Sequence, residues 1–281
     1  MGKEIVRYNS DLNKLTFAGF DDRELSLFFA IASKVKYKDA QEVTMSFDSL
    51  YSVIGKTEHN ESSREFAYRI AKMNKKLLGL SFNYVDGSKL KGFNLFHSYE
   101  IDLMEKTLTV SVSKEFTYLF NKFIDMKSWT RFELEEFVSI KGKHPKNLYR
   151  LLKQWRTKGK YSVTIKEFQH LMNIETYSTR EMTRRVIAPS IEKIRMCSGF
   201  KDIKYSYSYG TGHKPVRIVF EWTPINADLT DYHDRREEEA THPEPPEQQL
   251  SLFEMDPEEE SDRDDILKDN DQDFNPEEWP F

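Results

Sequence analysis

The sequence is poor in the features that mark secreted, membrane-bound and disulfide-rich proteins. It has one cysteine, Cys197, in 281 residues, which excludes an internal disulfide and most zinc sites. Its longest mainly apolar stretch, Leu25 to Ala32, spans eight residues, whereas a membrane-spanning helix needs about 20. The opening MGKEIVRYN contains no apolar segment of a signal peptide, and Val6 does not fit the myristoylation pattern. These absences favour a cytoplasmic protein.

Motifs of the common enzyme classes are also missing. The sequence has no G-x-x-x-x-G-K-[ST] phosphate-binding loop. Its seven histidines never occur as H-x-H, as H-E-x-x-H or with a cysteine partner, so the pattern indicates no metal-dependent cleavage site. None of the 14 tyrosines stands in a setting that marks a nucleophile. We therefore expect a non-enzyme without catalytic residues, metal sites or cofactors.

What the sequence does contain is a strong segregation of charge. The net charge of −5 hides a C-terminal segment, residues 226–281, that holds 21 acidic residues against 4 basic ones, a net −17. The first 225 residues hold 38 basic and 26 acidic residues, a net +12. A basic body with an acidic tail is typical of nucleic-acid-binding proteins, and a solvated surface with a solubilising tail is the alternative. The tail has few large apolar residues, so we expect it to be disordered.

Hydrophobic periodicity predicts the same order of elements twice in the basic body, over residues 25–112 and 148–222. In each copy a helix precedes a strand, a short helix, a long helix and a β-ribbon. The strands, short helices and long helices are offset by 119, 118 and 117 residues. This is the layout of a winged helix, a helix-turn-helix followed by a β-wing. The sequence therefore predicts an α+β fold of two tandem winged-helix domains followed by a disordered acidic tail.

The predicted domains are residues 1–127, residues 128–225 and the tail at 226–281. The segment from Glu115 to Phe137 joins the two winged helices, and its hydrophobic side chains indicate a packed connector. Pro189 stands inside the second long helix and should kink it, because its missing N–H group leaves the carbonyl of Arg185 without a donor.

The second long helix is the predicted recognition helix, since the second helix of the turn enters the major groove with its N-terminal residues at the base edges. Arg180 and Arg184 share a face away from Ile187 and Ile191, and arginine can bond guanine in a bidentate way. The predicted DNA contacts of this helix are Thr179, Arg180, Thr183, Arg184 and Arg185. The neighbouring wing contributes predicted phosphate contacts from Lys201, Lys204, Lys214 and Arg217.

The equivalent helix of the first copy is basic but has no arginine pair at its start. We expect it to contact mainly the DNA backbone, with a wing that carries Lys89 and Lys91. The predicted contacts on the helix are Arg64, Arg69, Lys72, Lys75 and Lys76. Two such units in one chain could grip successive turns of one duplex, about 34 Å apart. For both helices the alternative is an ordinary solvated basic face.

Several segments resemble the iteron-binding plasmid replication initiators, the Rep family with tandem winged helices. The pairing of LYRLLKQW at 148–155 with RVIAPSIEKI at 185–194 is its most specific part. The resemblance covers about residues 5–223, and the tail lies outside it. The full set of segments that carry it is RYNSDLN (7–13) with ELSLFFAIASKVK (24–36), KNLYRLLKQWRTKGKYSVTIKEFQHLMNI (146–174), TRRVIAPSIEKI (183–194) and IVFEW (218–222).

The resemblance implies that the second domain binds directly repeated origin sites through Thr179–Met196. It also implies that the first domain supports backbone contact and self-association, with monomers acting in origin opening and homodimers in autorepression. Pro189 matches the family, whereas Arg180, Thr183 and Arg184 occupy the variable positions that set specificity. The DNA sequence of the repeats therefore cannot be transferred from the family.

The tail carries two peptide motifs. One, at Gln249, Leu250, Ser251, Leu252 and Phe253, resembles the pentapeptide that binds the bacterial sliding clamp, and an apolar cluster in so polar a tail favours docking. The other, DFNPEEWPF, resembles the acidic tip of bacterial single-stranded DNA-binding proteins, where a terminal Phe281 could occupy a site on another replication protein. The alternatives are a chance cluster and a plain acidic end.

The function that these features favour is a plasmid replication initiator that binds origin repeats, recruits host replication proteins and regulates its own transcription. A winged-helix transcriptional repressor without a role in initiation is the alternative. A third hypothesis is an interaction scaffold whose body binds nucleic acid without sequence preference.

Overall fold

The computed structural model of the protein describes residues 4–36, 38, 41–54, 62–78, 81–86, 89–94, 96–114, 117–120, 129–211 and 214–225. The chain divides into two units, residues 1–241 and 242–281, and every described residue belongs to the first. The predicted disordered tail and both of its peptide motifs lie outside the described residues. None of the helices in the described ranges is long and apolar enough to cross a membrane.

The N-terminal half contains the first predicted winged helix, preceded by a strand. Helix starts follow the capping-box pattern, in which a side chain and a glutamate three residues later cap each other's backbone N–H groups. Asp21 and Glu24 do so for α1, and Ser62 and Glu65 for α3. The elements are β1 (Ile5–Asn9), a 3-10 helix (Ser10–Lys14), α1 (Asp22–Val35), β2 (Val43–Ser46), α2 (Phe47–Ile54), α3 (Ser63–Leu78), β3 (Ser81–Asp86), β4 (Lys89–Asn94), β5 (Phe96–Asp102) and β6 (Thr107–Val112).

Strand pairing identifies the wing of the N-terminal winged helix, or N-terminal unit. Strands β2, β6 and β5 form an antiparallel sheet in that order, with Val43 opposite Val110. Strands β3 and β4 form a separate two-stranded hairpin. The wing of the three-stranded sheet is therefore the β5–β6 turn at residues 103–106. The prediction that the wing carries Lys89 and Lys91 is wrong, because both residues lie on the separate hairpin.

The connector between the two winged helices consists of α4 (Thr117–Phe120), β7 (Trp129–Glu133) and α5 (Leu134–Ser139). Most of its described apolar side chains are buried, as expected for a packed connector, and Trp129 and Val138 are half-buried. Strand β7 pairs antiparallel with β1, a pairing that the sequence pattern did not indicate. This pairing joins strands on either side of the predicted domain boundary between residues 127 and 128. The boundary itself stays a prediction.

The C-terminal half repeats the order of the first unit. Strands β8, β10 and β9 form an antiparallel sheet in which Ile218 of the central strand lies opposite both Val163 and Tyr207. The predicted fold class of two tandem winged helices is confirmed. The elements are α6 (Lys143–Gln154), β8 (Lys160–Thr164), α7 (Ile165–Met172), α8 (Thr179–Met182), a π-helical turn (Thr183–Ile187), α9 (Ala188–Cys197), β9 (Lys204–Tyr209) and β10 (Pro215–Glu221).

The predicted recognition helix consists of α8, the π-helical turn and α9. Ser178 and Glu181 form a capping box at its start. The N–H group of Ala188 donates to the carbonyl of Thr183, five residues earlier, instead of following α-helical spacing. Pro189 stands in the first turn of α9. Pro189 has no N–H group to donate to the carbonyl of Arg185, four residues earlier, and a π turn is one way in which a helix accommodates a missing hydrogen bond.

One hydrophobic core runs through both winged helices. The ring of Phe29 lies 5.4 Å from that of Phe132 and 4.8 Å from that of Phe137. Phe132 in turn lies 5.5 Å from Tyr149 of α6, and Tyr149 lies 6.1 Å from Phe200 next to β9. A continuous chain of ring contacts therefore connects α1 of the first winged helix to the loop that precedes β9 in the second.

Two buried cations of α6 add polar contacts between the halves. The Lys146 ammonium group is 2.6 Å from a carboxylate oxygen of Asp22 at the start of α1. The Arg150 guanidinium, which is fully buried, donates to the carbonyls of Leu12 and Leu15, at 3.2 and 2.7 Å. Because a buried charge needs its partners, these bonds hold α6 in one position against the N-terminal unit.

Candidate nucleic-acid interface

The recognition helix buries one face and exposes the other, as the sequence predicted. Arg180, Arg184 and Arg185 are exposed, and Thr179 is half-buried. The opposite face packs into the core through Met182, Val186, Ile187, Ile191 and Ile194. The exposed arginines therefore stand on a helix that cannot rotate without uncovering its apolar face.

Charges around the start of this helix are partly balanced within the protein. Hydrogen bonds from the backbone and side chain of Ser178 hold the pKa of Glu181 below its usual value, and Arg185 and Arg184 lower it further. The Arg185 guanidinium also lies 5.8 Å from the ring centre of Tyr177. Glu181 therefore remains ionised and offsets part of the positive charge of the two arginines.

The Thr183 side chain is half-buried and hydrogen-bonded within the protein. Its hydroxyl donates to the carbonyl of Thr179 at 2.8 Å and lies 2.6 Å from the Tyr207 hydroxyl on β9. Burial raises the pKa of Tyr207. The hydroxyl of Thr183 is therefore committed within the protein. Its predicted contact with DNA remains untested, and Tyr207 is a residue that sequence analysis missed.

The C-terminal wing carries its predicted cations on the surface. Lys201, Lys204, Lys214 and Arg217 are all exposed. Arg217 bonds across the sheet to the side chain and carbonyl of Ser162, at 2.9 and 3.1 Å, which limits its reach. Lys214 lies in the β9–β10 turn, where its carbonyl accepts from Gly210 at 3.1 Å. The wing therefore presents a positive edge beside the recognition helix.

The N-terminal unit presents a second basic helix face on α3. Arg64, Lys72 and Lys75 are exposed and Arg69 is half-buried. Tyr68, which the sequence analysis did not select, is 73% exposed and lies one turn from both Arg64 and Lys72. The opposite face is buried through Phe66, Ala67, Ile70 and Met73. Four of the five predicted cations thus lie on or near one surface.

Lys76, the fifth of these cations, is engaged inside the protein. Its ammonium group contacts the Glu24 carboxylate at 2.5 Å and donates to the carbonyl of Gly19 at 2.7 Å. The Glu24 side chain is almost fully buried, so this ion pair ties the end of α3 to the start of α1. Sequence spacing placed Lys76 on the DNA-facing side, and because of this pair we leave it out of the proposed interface.

The N-terminal wing differs chemically from the C-terminal one. Its turn exposes Leu103 by 48% and Met104 by 92%, next to the exposed Glu105. A carboxylate oxygen of Asp102 accepts from the N–H groups of Met104 and Glu105, at 2.8 and 2.9 Å, and holds the turn in shape. The turn also exposes Lys106, so it carries one cation beside an acidic and two apolar side chains and offers phosphates less positive charge than the C-terminal wing.

The predicted partner-binding residues of the tail, Gln249 to Phe253 and Phe281, lie outside the described residues.

Known proteins are similar to this chain in sequence and in fold. Residues 5–153 match the family described as "Initiator Replication protein, WH1", and residues 164–222 match "Initiator Rep protein, WH2". A "Probable replication protein rep" of Bifidobacterium longum (strain NCC 2705) is 33% identical over 204 residues, which cover 72% of this chain and 68% of the relative. A Pi initiator protein solved in complex with iteron DNA has a similar fold, with a TM-score of 0.64 and 13% sequence identity over 80% of this chain and 99% of that chain.

Proposed function

Because the chain belongs to the initiator replication proteins, the Rep family with two winged-helix domains, we propose that it initiates plasmid replication by binding directly repeated origin sites. The Pi initiator protein, which shares the fold, was solved on iteron DNA. The observation that carries the proposal is the exposed pair Arg180 and Arg184, on a helix whose other face is locked into the core.

In the proposed complex the recognition helix reads bases and the wing beside it holds the backbone. Arg180 and Arg184 would bond base edges in the major groove, where each good contact discriminates by about 1–3 kcal/mol. Lys204 and Lys214 would neutralise phosphates, which orient the protein without reading the sequence. We propose further DNA contacts from Thr179 and Arg185 on the helix, and further phosphate contacts from Lys201 and Arg217 beside it.

The N-terminal unit would add contacts to the DNA backbone through Arg64, Arg69, Lys72 and Lys75. Its winged helix follows the same order of elements as the C-terminal one, and the buried contacts of Lys146 and Arg150 connect the two. We therefore propose residues 1–127 as a domain for backbone contact and dimerisation, and residues 128–225 as the sequence-specific domain. Two linked units gain avidity because the second binds at a high effective concentration.

Footprinting on the parent plasmid tests this proposal. The expected result is protection of several direct repeats near the gene, with the same spacing between protected segments. The matched control is Arg180→Ala with Arg184→Ala, which removes two exposed side chains without touching the core and should abolish the pattern. Protection of no repeat by the wild-type protein would contradict the proposal.

For the acidic tail we propose docking to the bacterial sliding clamp through residues 249–253. The supporting observation is the motif QLSLF in an otherwise polar and acidic segment. Replacing Leu252 and Phe253 by alanine should abolish capture of the purified clamp in a pull-down. Binding of origin DNA by the same variant should be unchanged. Clamp capture that persists in this variant would exclude the motif. The same proposal includes a binding site for Phe281 on another replication protein.

We further propose that homodimers of the chain repress its own gene and that the protein acts in the cytoplasm by binding, without catalysis. The competing function is a winged-helix repressor with no role in initiation. A plasmid from which the gene is deleted separates the two: it should fail to replicate unless the protein is supplied in trans. Equal affinity for origin repeats and random duplex at matched salt would instead favour a nonspecific scaffold.

A further inference from the structure

One hydrogen-bonded chain connects the wing of the C-terminal unit to its recognition helix. The hydroxyls of Thr183 and Tyr207 are 2.6 Å apart, and the Thr183 hydroxyl is also 2.8 Å from the carbonyl of Thr179. A carbonyl can only accept, so the single hydroxyl proton of Thr183 points to Thr179. Tyr207 must therefore be the donor to Thr183. These hydrogen bonds lead from Tyr207 on the wing strand, through Thr183, to the first turn of the recognition helix.

The strand end of this hydrogen-bonded chain is fixed by the sheet, and its middle residue, Thr183, lies at an irregular point of the helix. Tyr207 lies opposite the fully buried Ile218 in the sheet, and its ring is 6.3 Å from that of Tyr205, edge to face. Thr183 is the residue at which the recognition helix leaves α geometry, since its carbonyl accepts from Ala188 across the π turn. The hydroxyl bond thus joins a fixed strand to the point in the helix where the backbone is least regular.

The residues around this point are those expected to read DNA. Arg184 follows Thr183 directly, and Arg180 precedes it by three residues, both on the exposed face. A π turn adds a residue to one helical turn and therefore changes the direction of every side chain beyond it relative to those before it. A bond that fixes Thr183 consequently fixes how the two arginines stand relative to each other.

We propose that Tyr207 is a positioning residue for DNA recognition, and that Thr183 serves as its relay and makes no DNA contact of its own. The wing strand that carries Tyr207 also carries Lys204 and leads into the turn with Lys214. A wing seated on phosphates would thus set the orientation of the base-reading helix through this pair of hydroxyls. This inference rests on the proposed binding of origin repeats.

A double-mutant cycle on the full chain tests the inference. Tyr207→Phe and Thr183→Val each remove one hydroxyl and keep the size of the side chain, and Thr183→Ser keeps the hydroxyl. The measured quantity is the ratio of affinities for the footprinted repeat and a scrambled duplex of the same composition, over a series of salt concentrations. Thermal unfolding of each variant reports on its fold.

The expected result is a ratio about fivefold lower for Tyr207→Phe and for Thr183→Val, the effect of losing one ordinary hydrogen bond. The affinity ratio of the double variant should be no lower than that of either single variant. Thr183→Ser should retain most of the wild-type ratio. Affinity for the scrambled duplex and its salt dependence should stay unchanged, because neither residue contacts phosphate.

Three outcomes would overturn the inference. A ratio that falls for Thr183→Val but not for Tyr207→Phe would mean that Thr183 contacts DNA directly. Additive losses in the double variant, or no loss in either single variant, would mean that the hydroxyl pair does not position the helix. The wild-type ratio is measured first: a wild-type protein with no preference for the repeat overturns the proposed function itself, whereas a clear preference leaves only the hydroxyl pair in question.

Discussion

Replacing Arg150 by methionine tests whether the two winged helices are held together by the buried polar contacts of α6. The guanidinium is fully buried and donates to the side-chain oxygens of Asn147 and Asn13, at 3.1 and 3.2 Å, and to the carbonyls of Leu12 and Leu15, at 3.2 and 2.7 Å. Methionine has a similar length and helix propensity but donates no hydrogen bond.

The expected loss of stability follows from the acceptors left behind. Two of the four keep another donor, whereas the Leu15 carbonyl and the Asn147 oxygen have no second donor among the described residues. An orphaned buried acceptor costs about 1–3 kcal/mol, and the partly buried Leu15 carbonyl falls at the low end of that range, so the two together cost about 2–4 kcal/mol. Burial lowers the pKa of Arg150 to about 10, a sign that the buried charge is itself costly, and methionine removes that cost. We therefore expect Arg150→Met to lower the free energy of unfolding by about 3 kcal/mol.

Urea unfolding followed by circular dichroism measures this loss, and amide hydrogen exchange locates it. Exchange should speed up most at the 3-10 helix of residues 10–14, which Arg150 holds. The matched control is Arg180→Met, the same replacement on an exposed site, for which the change should stay within about 0.5 kcal/mol. An Arg150→Met protein as stable as the control would refute the reasoning, since it would show that the polar contacts contribute nothing beyond packing.

Three further predictions concern the C-terminal unit. Arg184→Ala should weaken binding to the repeat by about 1–3 kcal/mol and change binding to random duplex little. Lys214→Ala should weaken binding to both duplexes equally and reduce the slope of log affinity against log salt by about 0.9. The opposite pattern for the two variants would contradict the division between a base-reading helix and a phosphate-binding wing. Burial and the nearby Lys143 lower the pKa of His144 to about 4, so stability should fall as pH drops from about 6.5 to 4, by roughly 1–2 kcal/mol after allowance for solvent screening. His144→Gln should reduce this fall in stability when the free energy of unfolding in urea is measured across the pH range. A fall as large as in the wild type would show that His144 is not its cause. Gly159→Ala should destabilise by about 2–4 kcal/mol in the same assay, because Gly159 has φ +68° and a Cβ there would lie 2.8 Å from the Trp222 carbonyl oxygen; a wild-type midpoint would contradict this.

The order of elements in both units was predictable because it depends on local physics. Apolar spacing separated Arg180 and Arg184 from Ile187 and Ile191, and the structure places the first pair outside and the second pair in the core. The start of α3 was equally readable, since a serine and a glutamate three residues apart can cap each other without help from the rest of the fold.

Long-range contacts escaped sequence analysis. The pairing of β1 with β7 brings together residues 5–9 and 129–133, and neither strand carries a mark of its partner. The mistaken wing has the same cause: two hairpins follow α3, and only strand order shows that β5 and β6 belong to the sheet of β2. The hydroxyl pair of Thr183 and Tyr207 joins residues 24 apart in a geometry that no periodicity contains.

By itself, the sequence determined that this protein has two basic winged helices and an acidic tail, because periodicity, capping and net charge are properties of neighbouring residues. Only the tertiary structure decided which cations remain available to DNA. Lys72 and Lys76 are one helical turn apart and look equivalent in the sequence, yet Lys72 is exposed and Lys76 is held by Glu24 from another helix. A charge is free or committed according to what the fold places beside it, and that depends on packing between distant parts of the chain.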